Sequence, residues 1–192
     1  MPRIAPLEPP YEPEVGDQLA GMMPPGVPPI ALFKTFVRNP AMASAMREWG
    51  GYELSRRLSL PMRAREIVID RTCARCGCEY EWGVHVAFFA ERVGLTPAQV
   101  TSLTGGASDD LCWTDPLDRL LIDAVDSLHD RADIGDELWE GLAGALGDAA
   151  LLDLLLLCGW YHAISFAANA ARVPLEDGAP RFADVAAGPV GG

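Results

Sequence analysis

Apolar side chains recur every three to four residues along most of the chain, which is the period of a helix that buries one face. No segment alternates apolar and polar residues in the manner of a strand. The sequence therefore predicts an all-α fold. The predicted helices cover residues 30–37, 42–52, 61–73, 79–93, 97–104, 116–128, 134–146 and 149–173.

The two ends of the chain depart from this pattern. Nine of the sixteen prolines precede Ile30, and proline disfavours helix interiors, so residues 1–29 are expected to form an extended Pro-rich arm. Its apolar residues favour an arm wrapped over a protein surface, interrupted by one short helix over about 12–22. Residues 30–175 then form the all-α domain, and the Gly/Ala/Pro-rich residues 176–192 are expected to be a flexible tail.

The net charge of the chain argues against one class of partner. Fifteen basic and twenty-seven acidic residues give a net charge of −12, which disfavours binding to duplex nucleic acid.

The N-terminus lacks the apolar segment of a secretory signal. The apolar stretch from Leu154 to Ala171 contains polar residues and ends at charges, so we expect a buried helix and no membrane span. Five cysteines, an odd number, do not suggest a secreted disulfide framework, and we expect a cytoplasmic protein.

Candidate chemistry is concentrated in one segment. Glu81 and His85 lie four residues apart and therefore share a helix face, and Cys78 directly precedes that helix. Glu66 lies one helix earlier and can reach them if the two helices form an antiparallel hairpin. A thiol, an imidazole and two carboxylates at a helical interface are suited to proton transfer or thiol redox chemistry.

Simpler interpretations of these residues stay open. Glu81 and His85 can form an exposed ion pair, although the many apolar neighbours leave little of this helix for solvent. The thiols Cys73, Cys76 and Cys78 can be inert and buried. A zinc site with His85 is disfavoured because structural zinc sites pair two short-spaced ligand groups, and the segment has one. No metal or other cofactor is therefore predicted.

The remaining histidines lie outside this segment. His129 stands in a charged stretch and is expected to be exposed. His162 follows Cys158 by one turn on the most apolar helix, where we expect a histidine satisfied within the core or an interface. Cys112 precedes a helix start and is expected to be a packing residue.

The segment resembles the carboxymuconolactone decarboxylase-like family, which includes the alkyl hydroperoxidase D type proteins. Its peroxidase members carry a glutamate, eleven residues, and then Cys-x-x-Cys-x-x-x-His. On this chain the glutamate is Glu66, the first cysteine Cys78 and the histidine His85, but the second, resolving cysteine is replaced by Glu81. The resemblance implies an alkyl hydroperoxidase D-like fold and a homo-oligomer: a dimer, trimer or hexamer.

Three functions follow from the resemblance. The leading one is cofactor-independent decarboxylation, or related proton transfer, on a small lactone or keto acid, with His85 as proton donor and Glu81 orienting it. Glu66 would share that task, and Cys78 would only line the pocket. The second is a thiol-dependent peroxidase in which His85 activates Cys78 as the attacking thiolate. The Cys73-Ala-Arg-Cys76 pair either resolves the oxidised Cys78 or is a coincidence of a cysteine-rich turn. The third is a non-catalytic oligomeric scaffold.

Overall fold

The computed structural model describes residues 1–186, and within them it contains helices and no strands. The all-α prediction is confirmed. The helices are α1 (Pro13–Ala20), α2 (Ala31–Phe36), α3 (Pro40–Glu53), α4 (Met62–Arg75), α5 (Glu79–Phe89), α6 (Pro97–Gly105), α7 (Pro116–Arg131), α8 (Asp136–Ala145), α9 (Asp148–Ala171) and α10 (Phe182–Ala186).

Helix α4 is the centre of the fold. It packs against α5, α6, α7 and α9, and all its residues from Ala64 to Cys73 are buried. Four of these buried residues are ionisable: Arg65, Glu66, Asp70 and Arg71. Burial and the neighbouring Glu66 raise the pKa of Asp70 well above its usual value, which favours its neutral form. The two arginines remain charged. Because a buried charge is costly unless it is paired, these side chains require partners from the surrounding helices. Arg71 forms a two-pronged ion pair with Asp126 of α7, at 2.6–2.7 Å.

A single glycine reverses the chain between α4 and α5. Gly77 has φ +59°, a left-handed conformation that costs glycine little. The amide of Cys78 then donates to the carbonyl of Cys73, which closes the end of α4. The tight turn lets α5 pack back along α4 as an antiparallel hairpin. Residues 79–85 of α5 consequently lie against the buried face of α4.

The proline-rich arm lies along the body of the protein. The amides of Arg3 and Ile4 donate to the carbonyl of Ala171 at the end of α9. The amide of Leu7 donates to the backbone carbonyl of Lys34 in α2. Arg38 donates to the carbonyl of Ala5 at 2.7 Å. The arm therefore gains its hydrogen bonds from the two ends of the domain. The short helix predicted over about 12–22 is present as α1.

Residues 176–186 differ from the flexible tail that we predicted. Glu176 accepts a 2.5 Å hydrogen bond from Tyr80, and the amide of Phe182 donates to Glu79. The segment can cross α5 closely because residue 83 is glycine, where a Cβ would approach the Pro180 carbonyl oxygen to 2.6 Å. Helix α10 then packs on α6. The rest of the predicted tail, residues 187–192, lies outside the described residues.

Helix α9 is long and apolar enough, by length and composition, to cross a membrane. Half of its most apolar stretch is nevertheless buried inside the protein, as in the core helix of a folded domain. Its inner face includes Leu154, Leu157 and Tyr161, whereas Leu152, Leu156 and Phe166 on its outer face are 51–65% exposed. The helix therefore packs one face against the protein, and within residues 1–186 its other apolar face remains exposed to solvent.

Candidate active site

The hairpin of α4 and α5 brings a carboxylate and an imidazole together. The Nδ1 of His85 donates to Oε2 of Glu66 across 2.8 Å, and both side chains are almost completely buried. Nδ1 must carry the proton because a carboxylate oxygen only accepts. This hydrogen bond fixes the ring and leaves Nε2 as the nitrogen available for chemistry.

The second oxygen of Glu66 pairs with its chain neighbour. Oε1 accepts from Arg65 at 2.6–2.7 Å, and Arg65 also donates to the carbonyl of Leu54. Arg65 is itself buried, and its guanidinium lies 5.3 Å from the ring centroid of Phe89. One carboxylate therefore lies between a guanidinium and an imidazole, and their hydrogen bonds hold the Glu66 side chain in place.

Two oxygen atoms surround the free nitrogen of His85. The hydroxyl of Tyr161, on α9, lies 3.1 Å from Nε2, and Oε1 of Glu81 lies 3.6 Å from it. Oε2 of Glu81 is buried and has no hydrogen-bond partner. A buried carboxylate oxygen without a partner is costly, and a substrate hydroxyl or a water molecule is the kind of donor that would satisfy it.

The roles of the two glutamates differ from our expectation. We predicted that Glu81 would orient His85, but the short contact to the ring belongs to Glu66. Glu81 makes only the longer contact on the opposite side of the ring. The reason is geometric. Glu81 and His85 lie four residues apart on α5, so their side chains lie side by side. Glu66 lies on α4, which packs against α5, and from there it faces the Nδ1 edge of the ring.

The surroundings determine the protonation state of His85. Burial alone lowers the pKa of an imidazole, but the charges and hydrogen bonds of Glu66 and Glu81 outweigh it and raise the pKa of His85 to about 10. Burial raises the pKa of Tyr161 well above its usual value. At neutral pH the site therefore contains an imidazolium and a neutral phenol, and both can donate a proton.

A cavity of about 470 Å³ opens onto His85 and Glu81. Its size is within the range of small-molecule sites. Its walls come from the segment after α1 and from α2, α3, α5 and α9, and they are mostly apolar. The lining also includes Arg47, whose side chain is about half exposed. The apolar wall includes Met22, Phe33, Phe36, Met46, Phe88, Phe89, Trp160 and Ile164.

The site cysteine does not lie where we predicted. Cys78 is not among the residues that line this cavity, and its side chain is completely buried. Burial raises the pKa of its thiol to about 11. Since the thiolate is the reactive form, Cys78 is a poor nucleophile in this environment. Cys73 is also buried, and burial raises the pKa of its thiol well above the usual value.

Of the other two histidines, His129 differs from expectation, whereas His162 is satisfied as expected, through a hydrogen bond from its Nδ1 to the carbonyl of Cys158. His129 was predicted to be exposed, but it is half-buried and its Nδ1 lies 3.0 Å from Nε2 of His162. Cys76 faces this pair, with Sγ 3.9 Å from Nδ1 of His129. The cysteines of the segment thus point in different directions, and they do not gather around His85 as a zinc site would require.

Sequence reasoning missed two residues of the site. Tyr161 comes from a helix about eighty residues away, and its only sequence signal was a polar hydroxyl within an otherwise apolar helix face. Arg47 lies on α3, where it resembles an ordinary surface arginine. Both reach the cavity because α3 and α9 contribute to its lining, an arrangement that no local spacing predicts.

Comparisons with known proteins agree with the family resemblance. Residues 40–114 match the model of the carboxymuconolactone decarboxylase family. The resemblance predicted from the segment is confirmed. These residues contain Glu66, Cys78, Glu81 and His85, whereas Tyr161 lies beyond them. No curated protein matches the sequence.

Two solved structures have a similar fold. The debrominase Bmp8 in its apo form is 15% identical, with a TM-score of 0.74 over 91% of this chain and 92% of that one. An uncharacterized peroxidase-related protein from Silicibacter sp. TM1040 is also 15% identical, with a TM-score of 0.75 over 93% and 96%. At this identity the likeness shows the fold.

Proposed function

We propose that this chain, which carries the pattern of the carboxymuconolactone decarboxylase family over residues 40–114, is an enzyme that transfers a proton to carbon from His85. The leading reaction is cofactor-independent decarboxylation of a small lactone or keto acid. The observation that carries the proposal is the placement of His85, which is bound through Nδ1 to buried Glu66 and opens through Nε2 toward an apolar cavity.

The proposed reaction has two steps. The bond to the carboxylate carbon breaks, carbon dioxide leaves, and the electron pair enters the neighbouring carbonyl as an enolate. The Nε2 proton of His85 then moves to the carbon that lost the carboxylate, and Glu66 holds the ring as it becomes neutral. The neutral hydroxyl of Tyr161 can donate to the enolate oxygen, a stabilisation that grows as charge develops.

The apolar cavity favours this chemistry. A carboxylate is poorly solvated among Met22, Phe33 and Phe88, and decarboxylation moves its charge onto a delocalised enolate, which the proton of His85 then neutralises. Arg47 at the lining is suited to a second anionic group of the substrate. Glu81, with its unpartnered Oε2, is suited to a substrate hydroxyl. The substrate class we propose is therefore a small, partly apolar acid with a carbonyl near the departing carboxylate.

The structure gives the peroxidase alternative less support. Its attacking thiol, Cys78, is buried away from the cavity and has a raised pKa, and residue 81 is a glutamate where the resolving cysteine is needed. The scaffold alternative explains neither a buried imidazolium nor a carboxylate oxygen left without a partner beside a cavity.

A screen in heavy water tests the proposal. Small carboxylated lactones and β-keto acids are incubated with the protein in D2O, and the products are examined by mass spectrometry and NMR. We expect carbon dioxide release and one deuteron on the carbon that lost the carboxylate. Tyr161→Phe should slow this reaction, while the matched variant Tyr11→Phe, on the arm and outside the cavity lining, should not.

The alternatives give different results in the same experiments. Consumption of a hydroperoxide with loss of free thiols would favour the peroxidase. Absence of turnover across the acids, together with no saturable binding of any of them at His85, would favour the scaffold. Turnover that His85→Asn leaves unchanged would reject the proposed proton donor.

We also propose that the protein forms a homo-oligomer through the outer face of α9. This face carries Leu152, Leu156 and Phe166 at 60%, 51% and 65% exposure, an apolar surface that association would cover. Sedimentation should show a dimer, trimer or hexamer of the 20.6 kDa chain. Leu156→Glu should shift the population toward monomer, whereas a stable wild-type monomer at micromolar concentration would reject the proposal.

A further inference from the structure

Three metal-binding side chains meet on the far side of α9 from the cavity. They are Cys76 at the end of α4, His129 near the end of α7, and His162 on α9, and all three are half-buried. One ligand atom from each lies within 4.8 Å of the other two. The cluster is separate from the candidate active site, although His162 directly follows Tyr161 along α9.

The orientation of His162 is already fixed. Its Nδ1 donates to the backbone carbonyl of Cys158 at 2.8 Å, so that nitrogen holds the proton. Nε2 therefore presents a lone pair toward His129 and Cys76. A histidine ligand commonly donates its other nitrogen to a carbonyl or carboxylate in this way, which selects the tautomer and the ring direction.

The spacing of the ligand atoms suits a tetrahedral ion. Bond lengths of about 2.0–2.1 Å to nitrogen and about 2.3 Å to sulfur place tetrahedral ligand atoms roughly 3.3–3.6 Å apart. The two imidazole nitrogens are separated by 3.0 Å, and Sγ lies 3.9 Å from Nδ1 of His129. These two distances lie on either side of the tetrahedral value, and the third, from Sγ to Nε2 of His162, is within 4.8 Å. Side-chain shifts of up to about 1 Å would bring all three to the tetrahedral spacing.

We propose that Cys76, His129 and His162 bind one zinc ion through Sγ, Nδ1 and Nε2, and leave its fourth position to water. Zinc is favoured over magnesium or calcium because thiolate and imidazole are its preferred ligands, whereas the other two prefer oxygen. Binding breaks the S–H bond of Cys76, releases that proton to solvent and forms a Zn–S bond, so no oxidant or reductant is needed.

The site joins helices that are distant in sequence. Cys76 closes α4, while His129 lies one turn before the left-handed end of α7 at Ala132. Asn169 of α9 donates to the carbonyl of Cys76 at 3.0 Å and holds that turn in position. Zinc binding would therefore link α4, which carries Glu66, to α7 and to α9, which carries Tyr161.

The alternative is a cluster that needs no metal. In that case Nδ1 of His129 carries a proton and donates it to Nε2 of His162, and Cys76 is a free thiol. The two states differ in where protons reside, so metal titration distinguishes them without any enzyme substrate and independently of the proposed function.

Cobalt and zinc titrations of the full chain test the site. With Co²⁺, which replaces Zn²⁺, we expect a near-ultraviolet thiolate-to-cobalt absorption band that saturates at one ion per chain and disappears when zinc is added. Zinc binding measured by calorimetry in buffers of different ionisation heat should release about one proton from the thiol. Cys76→Ser should remove the thiolate band, and His129→Gln should weaken binding at least 10-fold.

The matched control is Cys112→Ser, which alters the other half-buried thiol at a distant position. It should retain the band and the affinity. A thermal-denaturation midpoint like that of the wild-type apo protein will show that each variant is folded. Absence of a saturable site in the wild-type protein, or a thiolate band that survives Cys76→Ser, would overturn the proposal.

Discussion

Two histidine clusters lie beside α4 and α9, and they have opposite surroundings. His85 is fully buried between two carboxylates, Glu66 and Glu81, and its pKa is raised to about 10. His129 is half-buried beside another histidine, and burial, His162 and Arg75 together lower its pKa. The same side chain is therefore a cation in one cluster and a neutral base in the other.

The difference shows that the surroundings of a histidine determine its protonation state and therefore its chemical role. Burial disfavours the charged imidazole in both places, and only adjacent negative charge reverses the effect. A protonated ring with a fixed Nδ1 is suited to donate a proton, whereas a neutral ring has a lone pair for a metal ion. Tyr161 contacts His85, and the next residue, His162, contacts His129. Two consecutive residues of α9 therefore belong to the two different clusters.

The largest effect is expected from removal of the proton donor. His85→Asn should lower kcat/KM by about 10²–10⁴-fold, the usual contribution of a general acid. Glu66→Gln should lose most of the same activity, and the double variant little more, because residues that act as a unit are not additive. Glu137→Gln, an exposed glutamate on α8, is the matched control. Wild-type rates in both single variants would reject the catalytic assignment.

The next largest effect concerns stability at the same glutamate. Glu66→Gln removes the only carboxylate that pairs with Arg65 within the described residues, and it leaves a guanidinium buried. We expect a loss of about 3–5 kcal/mol in the free energy of unfolding, as for other broken buried pairs. Urea denaturation of the variant beside Glu137→Gln measures it. A loss below ~1 kcal/mol would show that the pair is solvated.

Zinc should stabilise the protein through the second cluster alone. At a free zinc concentration of about 100 times Kd, binding to the folded state adds about 2.7 kcal/mol to the free energy of unfolding. Thermal denaturation should show this gain in the wild-type protein and in His85→Asn, and should not show it in Cys76→Ser. An equal gain in Cys76→Ser would place the stabilising ion elsewhere.

The smallest effect is expected at Cys78, the cysteine that directly precedes α5. Cys78→Ser should leave the principal activity largely intact, because its thiol lies outside the cavity and has a raised pKa. Rates measured with and without added dithiol provide the check. Loss of turnover by several orders of magnitude, with dependence on dithiol, would instead support the peroxidase alternative.

The sequence predicted local features well and long-range contacts poorly. The predicted start of α6 at residue 97 is confirmed, and Thr96 and Gln99 form a capping box there, a signal that depends only on residues close in the chain. The antiparallel hairpin under which Glu66 would reach His85 is also present. The shared face of Glu81 and His85 suggested the wrong orienting carboxylate. Spacing along one helix does not reveal which side chain of a neighbouring helix meets the ring edge.

Contacts from distant helices could not be read from spacing. Tyr161 reaches His85 only after α9 packs on α5, and the meeting of His129 with His162 depends on how α7 and α9 pack around α4. The docking of residues 176–186 on α5 was missed for a related reason. Gly83, which permits the close approach, has the sequence appearance of an ordinary small helix residue.

The central claim is that buried His85 is a cation at neutral pH, and an NMR titration of its ring measures this directly. The protein has three histidines, so the signals absent from His85→Asn identify the residue. We expect the ring to stay protonated through pH 8 and to lose its proton near the pKa of about 10. Since this pKa lies above that of the unfolded chain, about 6.5, the stabilising effect of the charge should be complete below pH 6.5 and disappear as pH rises through about 10. A ring that titrates at or below pH 6.5, with no loss of stability between pH 7 and 10, would contradict the account.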